Sequence, residues 1–446
     1  MMKIDMAVIQ ELLKAKKYPL LKEKLLKEQN ADIAELINEL DAKTSVLVFR
    51  LLPKEVAVDV FAYLAVEKQT ELSMLVNEQE LKSILDDLFF DDKIDFLEEM
   101  PAYVVKRILR NSSETERKLI NQFLNYHEDS AGSIMTIEFM DLEKEMTVGE
   151  ALLRIRKNAR EKVTVYTCYV TDDSRHLEGI VSLRDLVVSD SDLKIEEIMR
   201  GEVISVKTSD DKEDVARLIQ KYDLLAIPVT DHEKRLVGII TVDDIVDVIE
   251  EENTEDFHKM ATIGKMNINL LDAKPLFLIQ KRLPWLLVLV FMNILSGAGI
   301  ALFEETINST VALVFFLPLL IASGGNAGSQ SATLLIRSLA VGDVKIGDWF
   351  RLLSKEVLVA VLLGIIMGLT VSIIGYFRAG LDVAIVVTLA MLGVVIVGSF
   401  IGASLPFIFT KLKVDPATAS GPLVTSMVDI AGVIIYFSIA TWYLNL

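Results

Sequence analysis

The sequence predicts a multi-domain membrane protein: an all-α N-terminal domain of helical hairpins, an α/β region containing a duplication, and a C-terminal domain of five transmembrane helices. Three observations carry the prediction. Apolar residues keep helical spacing through the first 130 positions, an ungapped repeat recurs at an offset of 59 residues, and five long apolar runs follow position 282. At 446 residues the chain has room for two to four domains. Its net charge of −18 is uneven: 36 basic and 56 acidic residues precede Lys274, a net of −20, against 10 and 8 from Lys274 on, a net of +2. The acidic part repels nucleic acid and attracts cations, so no nucleic-acid partner is expected. One cysteine, Cys168, excludes an internal disulfide. His127, His176, His232 and His258 stand singly, without zinc-ligand spacing or an HExxH motif.

The opening stretch, MMKIDMAVIQELLKAKK, is mixed-charge and amphipathic and lacks the apolar core and cleavage site of a signal peptide. The first 273 residues are therefore expected in the cytosol. Up to position 130, sets such as Ile33, Leu36, Ile37 and Leu40, or Val56, Val60, Phe61 and Leu64, mark helix faces. Pro53 and Pro101 sit where new helices start. The two proline-led segments read as a weak repeat, hence a stack of hairpins, with DDLFFDDKIDFLEE (Asp86 to Glu99) as its acidic patch.

From 131 to 252 short β-branched runs alternate with helices. VTDDSRHLEGIVSLRDLV (Val170 to Val187) aligns without a gap on VTDHEKRLVGIITVDDIV (Val229 to Val246). Each copy reads strand, polar turn, strand, helix, with Gly179, Ser182 and Asp185 matched by Gly238, Thr241 and Asp244. The Ser or Thr can cap the helix, with the aspartate one turn on. This pattern resembles the tandem CBS module, with copies at 131–197 and 198–252. The resemblance implies that Ser182 and Asp185 contact the phosphate and ribose, respectively, of an adenosine nucleotide such as ATP, with Arg184 near the phosphates. Where that family can stack adenine on an aromatic ring, this chain has Leu224. A capping S/T-x-x-D is also common in proteins that bind no nucleotide.

A helix-friendly segment from Ile245 to about Lys274, its part over 253–274 read as a connecting helix, then leads into the apolar region. Its acids Asp247, Glu251, Glu252, Glu255 and Asp256 crowd within ten residues, which is self-repelling unless solvated or bound to cations. The apolar spans are read at 283–303, 310–336, 357–377, 383–410 and 416–444, in a membrane domain covering 275–446. If they alternate, nine basic residues fall on the side of the N-terminal region and only Arg378 opposite, which places the N-terminus inside and the C-terminus outside the plasma membrane.

Within those spans Asp429 is the only ionisable residue, at the middle of PATASGPLVTSMVDIAGVIIYFSIATWYL. A mid-bilayer carboxylate costs at least ~2.5–3.5 kcal/mol, so it faces protein or water, either as a packing group bonded to a neighbouring helix or as a functional one. A single carboxylate excludes an intramembrane hydrolase, which needs a base and a ligand set; no enzyme activity is expected. A homodimer would place two Asp429 side chains across one pore, a small acidic ring suited to cations. In the second span, FLPLLIASGGNAGSQSATLLIRSL, Pro318 and Gly324, Gly325 and Gly328 read either as a helix break lining a cavity or as close small-residue packing. Asn326, Gln330 and Thr425 are candidate pore-lining oxygens, and Asp415 with Pro416 is expected to cap the fifth span at the inner mouth. Oxygen donors without thiolate or imidazole favour Mg²⁺, Ca²⁺ or Mn²⁺, and Mg²⁺ suits a pore that binds the ion through its water shell.

Taken together, the domain order and the motifs PLLIASGGNAGSQSATL and ASGPLVTSMVD resemble the MgtE-type magnesium channel family over essentially the whole chain. The resemblance implies a homodimer in the lipid bilayer whose pore holds Mg²⁺ at paired Asp429, shut by intracellular Mg²⁺ for magnesium homeostasis. It implies sensors at Asp244, Asp247, Glu252, Glu255 and Asp256, at Glu213 and Asp223 in the second CBS copy, and at Asp91 or Asp92 in the N-terminal domain. Rival readings are a nucleotide-sensing CBS receptor anchored by its spans, and a Mn²⁺ or Co²⁺ transporter of the same architecture.

Overall fold

The computed structural model describes residues 6–264, 266, 270 and 273–445, and forms two compact units, Met1–Ile249 and Glu250–Leu446. The first begins with ten short helices: α1 (Met6–Lys14), α2 (Tyr18–Leu25), α3 (Asn30–Asn38), α4 (Ala42–Leu51), α5 (Lys54–Ala62), α6 (Val66–Leu75), α7 (Glu78–Asp87), α8 (Phe90–Glu99), α9 (Ala102–Asn111) and α10 (Glu114–Phe123). Local sequence sets their starts. Asp41 accepts from the Lys43 and Thr44 amides, Asn77 and Glu80 form a reciprocal capping box, and Pro53 and Pro101 directly precede α5 and α9. Helices two places apart pack together, α3 on α5, α5 on α7, α4 on α6 and α6 on α8, as expected of stacked hairpins.

The duplicated region follows as β1 (Asp141–Leu142), α11 (Val148–Asn158), β2 (Thr167–Thr171), β3 (Leu177–Ser182), α12 (Leu183–Val188) and α13 (Ile195–Ile198), then β4 (Val206–Lys207), α14 (Lys212–Tyr222), β5 (Ala226–Thr230), β6 (Leu236–Thr241) and α15 (Val242–Met260). Each copy makes a three-stranded sheet with one parallel and one antiparallel pairing in matched register, Val170 opposite Gly179 and Val229 opposite Gly238. The hairpin turns of the copies meet reciprocally: the Leu177 amide donates to the Lys234 carbonyl and the Leu236 amide to the Arg175 carbonyl. Arg175 and Lys234, both in the left-handed region, occupy the same place in the two turns. Buried residues of the second copy, including Val215, Ile227 and Ile240, share one core with the helical domain, whereas the first copy closes its own around Leu142, Cys168 and Val181.

The second unit holds α16 (Pro275–Ala301), the short α17 (Glu304–Ser309), α18 (Ala312–Ala340), α19 (Trp349–Ala379), α20 (Leu381–Lys411) and α21 (Gly421–Leu444). Five of these are long and apolar enough to cross a membrane. Of the two readings of the second span the helix break does not occur: α18 runs without interruption through Pro318 and its glycines. The glycines serve packing instead. A Cβ on Gly398 would stand 2.5 Å from the Gly324 carbonyl oxygen and one on Gly328 2.7 Å from that of Gly398, while one on Gly402 would collide with the Gly328 carbonyl. With no side chain between them the backbones of α18 and α20 lie against each other, which offsets the lack of a hydrophobic force between helices in lipid.

Two further expectations are corrected. The fifth span does not begin at Pro416: Pro416–Thr418 is a 3-10 turn capped by Asp415, and α21 starts at Gly421, because Pro422 suits the first helical turn. The connecting helix is not a separate element over 253–274; it is the end of α15, which stops at Met260, and positions 265, 267–269, 271 and 272 lie outside the described residues.

Replacing Gly402 by Val is expected to force α18 from α20 at a destabilisation on the order of 1–3 kcal/mol or more. Gly297→Ala, where a Cβ meets nothing within 4 Å, is expected to change little. Thermal unfolding midpoints of the two variants in detergent check this.

Candidate functional site

Asp429 sits nine residues into α21, half-buried, with Thr425 one turn before it on the same face. Gly325 lets α18 close on that turn: Thr425 Oγ1 lies 3.1 Å from Ser329 Oγ, which also donates to the Gly421 carbonyl at 3.2 Å. Beside this contact Asn326 and Gln330, four residues apart on α18, are exposed in the single chain. Thus Ser329 of α18 and Thr425 of α21 meet at the helix contact, with Asp429 one turn on along α21 and Asn326 and Gln330 on α18. Asp429 Oδ1 is buried and accepts no hydrogen bond. The packing-carboxylate alternative required such a bond.

Asp429 is not the only acid within the long helices. Reading the third span from 357 leaves Glu356 outside, but α19 starts at Trp349, and the Glu356 carboxylate accepts from Ser331 Oγ of α18. The signal was a Lys-Glu pair ahead of the apolar run, which sequence reading took as a flank.

At the end of the bundle where α21 begins, Asp415 uses Oδ1 to accept from the Ala417 amide (2.8 Å) and Oδ2 to accept from Lys259 Nζ (2.5 Å). Lys259 also reaches Glu255 at 2.6 Å. Met260 packs into the cluster of Ala332, Ile336, Ala417, Ala419 and Val424. Burial, and then the neighbouring Asp415, push Asp256 up to about 6. Glu252, Glu255, Asp256 and Lys259 share one face of α15 by their spacing of three and four.

In the first unit Asp91 and Asp92, in the first turn of α8, crowd Asp244 at the start of α15. Burial pushes Asp91 up to about 8, with Asp244 and Asp92 adding to it, and pushes Asp92 and Asp244 to about 6. The repeat is not symmetric here. Ser182 caps α12 by accepting from the Asp185 amide at 3.0 Å, whereas in the second copy the Thr241 hydroxyl donates to the Asp244 carboxylate at 2.5 Å. Asp247 adds its charge to Asp244 from one turn on. Glu213 and Asp223 are not brought together: Glu213 is in the first turn of α14, paired with Arg217, and Asp223 ends that helix in the left-handed region, about 15 Å away. Arg184 is exposed, and Asp185 lies 4.0 Å from Arg200. Among the described residues no three His, Cys, Asp or Glu side chains converge to hold a metal ion.

Comparison with known proteins decides the family. Residues 317–439 match the MgtE family, described as a divalent cation transporter; residues 28–129 match the MgtE intracellular N domain, and 131–192 and 195–251 the CBS domain. The magnesium transporter MgtE of Thermus thermophilus is 37% identical over 413 residues, 92% of each chain. The chain belongs to the MgtE family. The proteins of the same name from Enterococcus faecalis (39% identical, 73% of this chain and 72% of its own) and Bacillus subtilis (34% identical, 93% and 94%) extend the likeness. The crystal structure of the cytosolic domain of the Mg²⁺ channel MgtE in complex with ATP aligns with a TM-score of 0.52 at 37% identity, covering 55% of this chain and all of that one. The soluble part of a magnesium transporter gives 0.52 at 33%, covering 55% and 97%. This MgtE family member is a membrane transport protein and not an enzyme.

The acid cluster sets a pH dependence. Asp91 holds its proton in the folded state up to about pH 8, whereas the unfolded chain releases it near the ordinary carboxylate value of 3.8. Between those values the folded state binds more protons, so stability falls as pH rises, by about 1.4 kcal/mol per pH unit for each proton retained. In chelated buffer, denaturant titrations from pH 5 to 8 are expected to show that fall, and Asp91→Asn to flatten it and to be the more stable protein at pH 8.

Proposed function

We propose that the chain is a Mg²⁺-selective influx channel that intracellular Mg²⁺ closes. The observation that carries this reading is the buried, unbonded carboxylate oxygen of Asp429, one turn after Thr425, which meets Ser329 of α18, the helix that also bears the exposed amides of Asn326 and Gln330. In a homodimer in the plasma membrane, with the N-terminus cytosolic and the C-terminus outside, two such faces would enclose a path with a carboxylate on each side. Amide and hydroxyl oxygens would then hydrogen-bond the ion's water shell, and Mg²⁺, reluctant to dehydrate, needs few direct ligands. The inside-negative potential drives influx by ~2.3 kcal/mol per charge per 100 mV.

Closure follows from charge. In the proposed orientation Asp415 marks the inner mouth, and Glu252, Glu255 and Asp256 lie on the helix seated there. Asp91 and Asp244 crowd one another, and Glu213, Asp223 and Asp247 complete the acids proposed to sense Mg²⁺. Raised Mg²⁺ bridges carboxylates and shifts the population toward the compact, shut state. ATP is proposed as a CBS ligand near Ser182, Arg184 and Asp185, because a similar cytosolic domain carries it.

Mg²⁺ uptake into liposomes, with Ca²⁺ and Mn²⁺ as competitors, tests the channel. Asp429→Asn is expected to cut uptake to background, and unchanged uptake would remove the pore assignment. Limited proteolysis of the full chain tests sensing: cleavage is expected to slow as Mg²⁺ rises, and a rate indifferent to Mg²⁺ would remove it.

A further inference from the structure

Lys259 is a cation set among the acids at the end of α15. Its ammonium lies 2.6 Å from Glu255 and 2.5 Å from Asp415, a residue 156 positions away. Asp415 is thereby committed at both oxygens, one to the Ala417 amide and one to Lys259. All three side chains are about one third exposed or less, at 30%, 21% and 33% for Lys259, Glu255 and Asp415. The arrangement is anchored next door, where Met260 packs into the apolar cluster formed by α18, α20 and α21. Although burial opposes charge on Lys259, the two carboxylates outweigh it and raise its pKa above the ordinary lysine value, so the ammonium stays charged.

Geometrically, two carboxylates from different segments converge on one positive centre, as they would on a bound cation. We propose that the Lys259 ammonium is a built-in counter-cation that holds the place of a divalent ion between Glu255 and Asp415, so that Mg²⁺ must displace it to bind there. The inference rests on the reading that Glu255 senses Mg²⁺ beside Asp415 at the inner mouth, and adds what sets the threshold there. An ammonium on a short tether competes at an effective concentration of roughly millimolar or more. A free ion that displaces it must therefore be abundant, which turns a strongly acidic site into one that fills only at high Mg²⁺. Divalent charge and shared ligation favour Mg²⁺ once that level is reached, and the released ammonium can swing to water on its four-carbon stem.

The alternative role is a plain latch, in which Lys259 itself fastens α15 to the turn at Asp415 and Mg²⁺ acts elsewhere. The two roles differ in sign. Removing a competitor lowers the Mg²⁺ concentration needed to compact the protein; removing a latch raises it. The test uses the full chain in lipid nanodiscs and reads the Mg²⁺ midpoint for protection from proteolysis in the native protein, Lys259→Met and Lys259→Arg. The expected result is a midpoint several-fold lower in Lys259→Met and near native in Lys259→Arg, which keeps the charge. An unchanged or higher midpoint in Lys259→Met overturns the proposal while leaving Mg²⁺ sensing in place. A native protein whose cleavage ignores Mg²⁺ overturns both. A measurement on the native protein needs no variant. Carbodiimide treatment in chelator is expected to form an amide between Lys259 and Asp415, detected by mass spectrometry, and Mg²⁺ is expected to suppress it. A cross-link formed equally with and without Mg²⁺ overturns the competition.

Discussion

A carboxylate placed among apolar side chains at membrane depth, with one oxygen accepting no hydrogen bond, is the constraint that the membrane unit is arranged around. Desolvating that charge is costly, and the helix bearing it offers no partner. What the fold supplies instead is proximity to neutral oxygens. Glycines at 324, 328, 398 and 402 draw α18 and α20 together until backbone meets backbone. Gly325 seats α18 on Thr425 of α21, and Asn326 and Gln330 are left at the edge of that contact. Small residues therefore do the positioning.

A second constraint is the repulsion of like charges. The region before Lys274 carries a net of −20, and its acids are not evenly dispersed. Asp91, Asp92 and Asp244 share a partly desolvated site, where burial and one another's charge hold protons that exposed carboxylates would release. Around Asp415 the answer is different, since a lysine from α15 supplies the compensating charge. Protons in one place and an ammonium in the other stand where a divalent ion could stand, which is the physical basis for treating acidity as a sensor.

Much of this was legible in the sequence. The 59-residue repeat fixed two equivalent sheets down to the register of Gly179 and Gly238, and apolar length alone found five spanning helices. Asp429 stood out because a charge in an apolar run has few explanations. Other features were not legible because they depend on partners distant in the chain. Whether glycines break a helix or pack it is decided by what lies opposite, and here that is another pair of glycines in α20. Glu356 was missed because hydropathy places a span's edge by composition, whereas the helix begins at Trp349 and turns the acid toward Ser331. Nothing in the sequence singles out Lys259, because only the fold brings Asp415, 156 residues on, against it. Glu213 and Asp223 occupy opposite ends of one helix, a separation that only the fold shows.

The central claim is that water and ions reach the side chain at position 429. Cysteine accessibility measures this directly, because the native Cys168 is buried, with its thiol pushed up to about 12 by burial, and is replaceable by serine. In liposomes, Asp429→Cys in a Cys168→Ser background is predicted to react with a small cationic thiosulfonate reagent added to the water, more slowly when Mg²⁺ is present. A thiol that no aqueous reagent reaches, but that an apolar reagent dissolved in the lipid labels readily, would contradict the account.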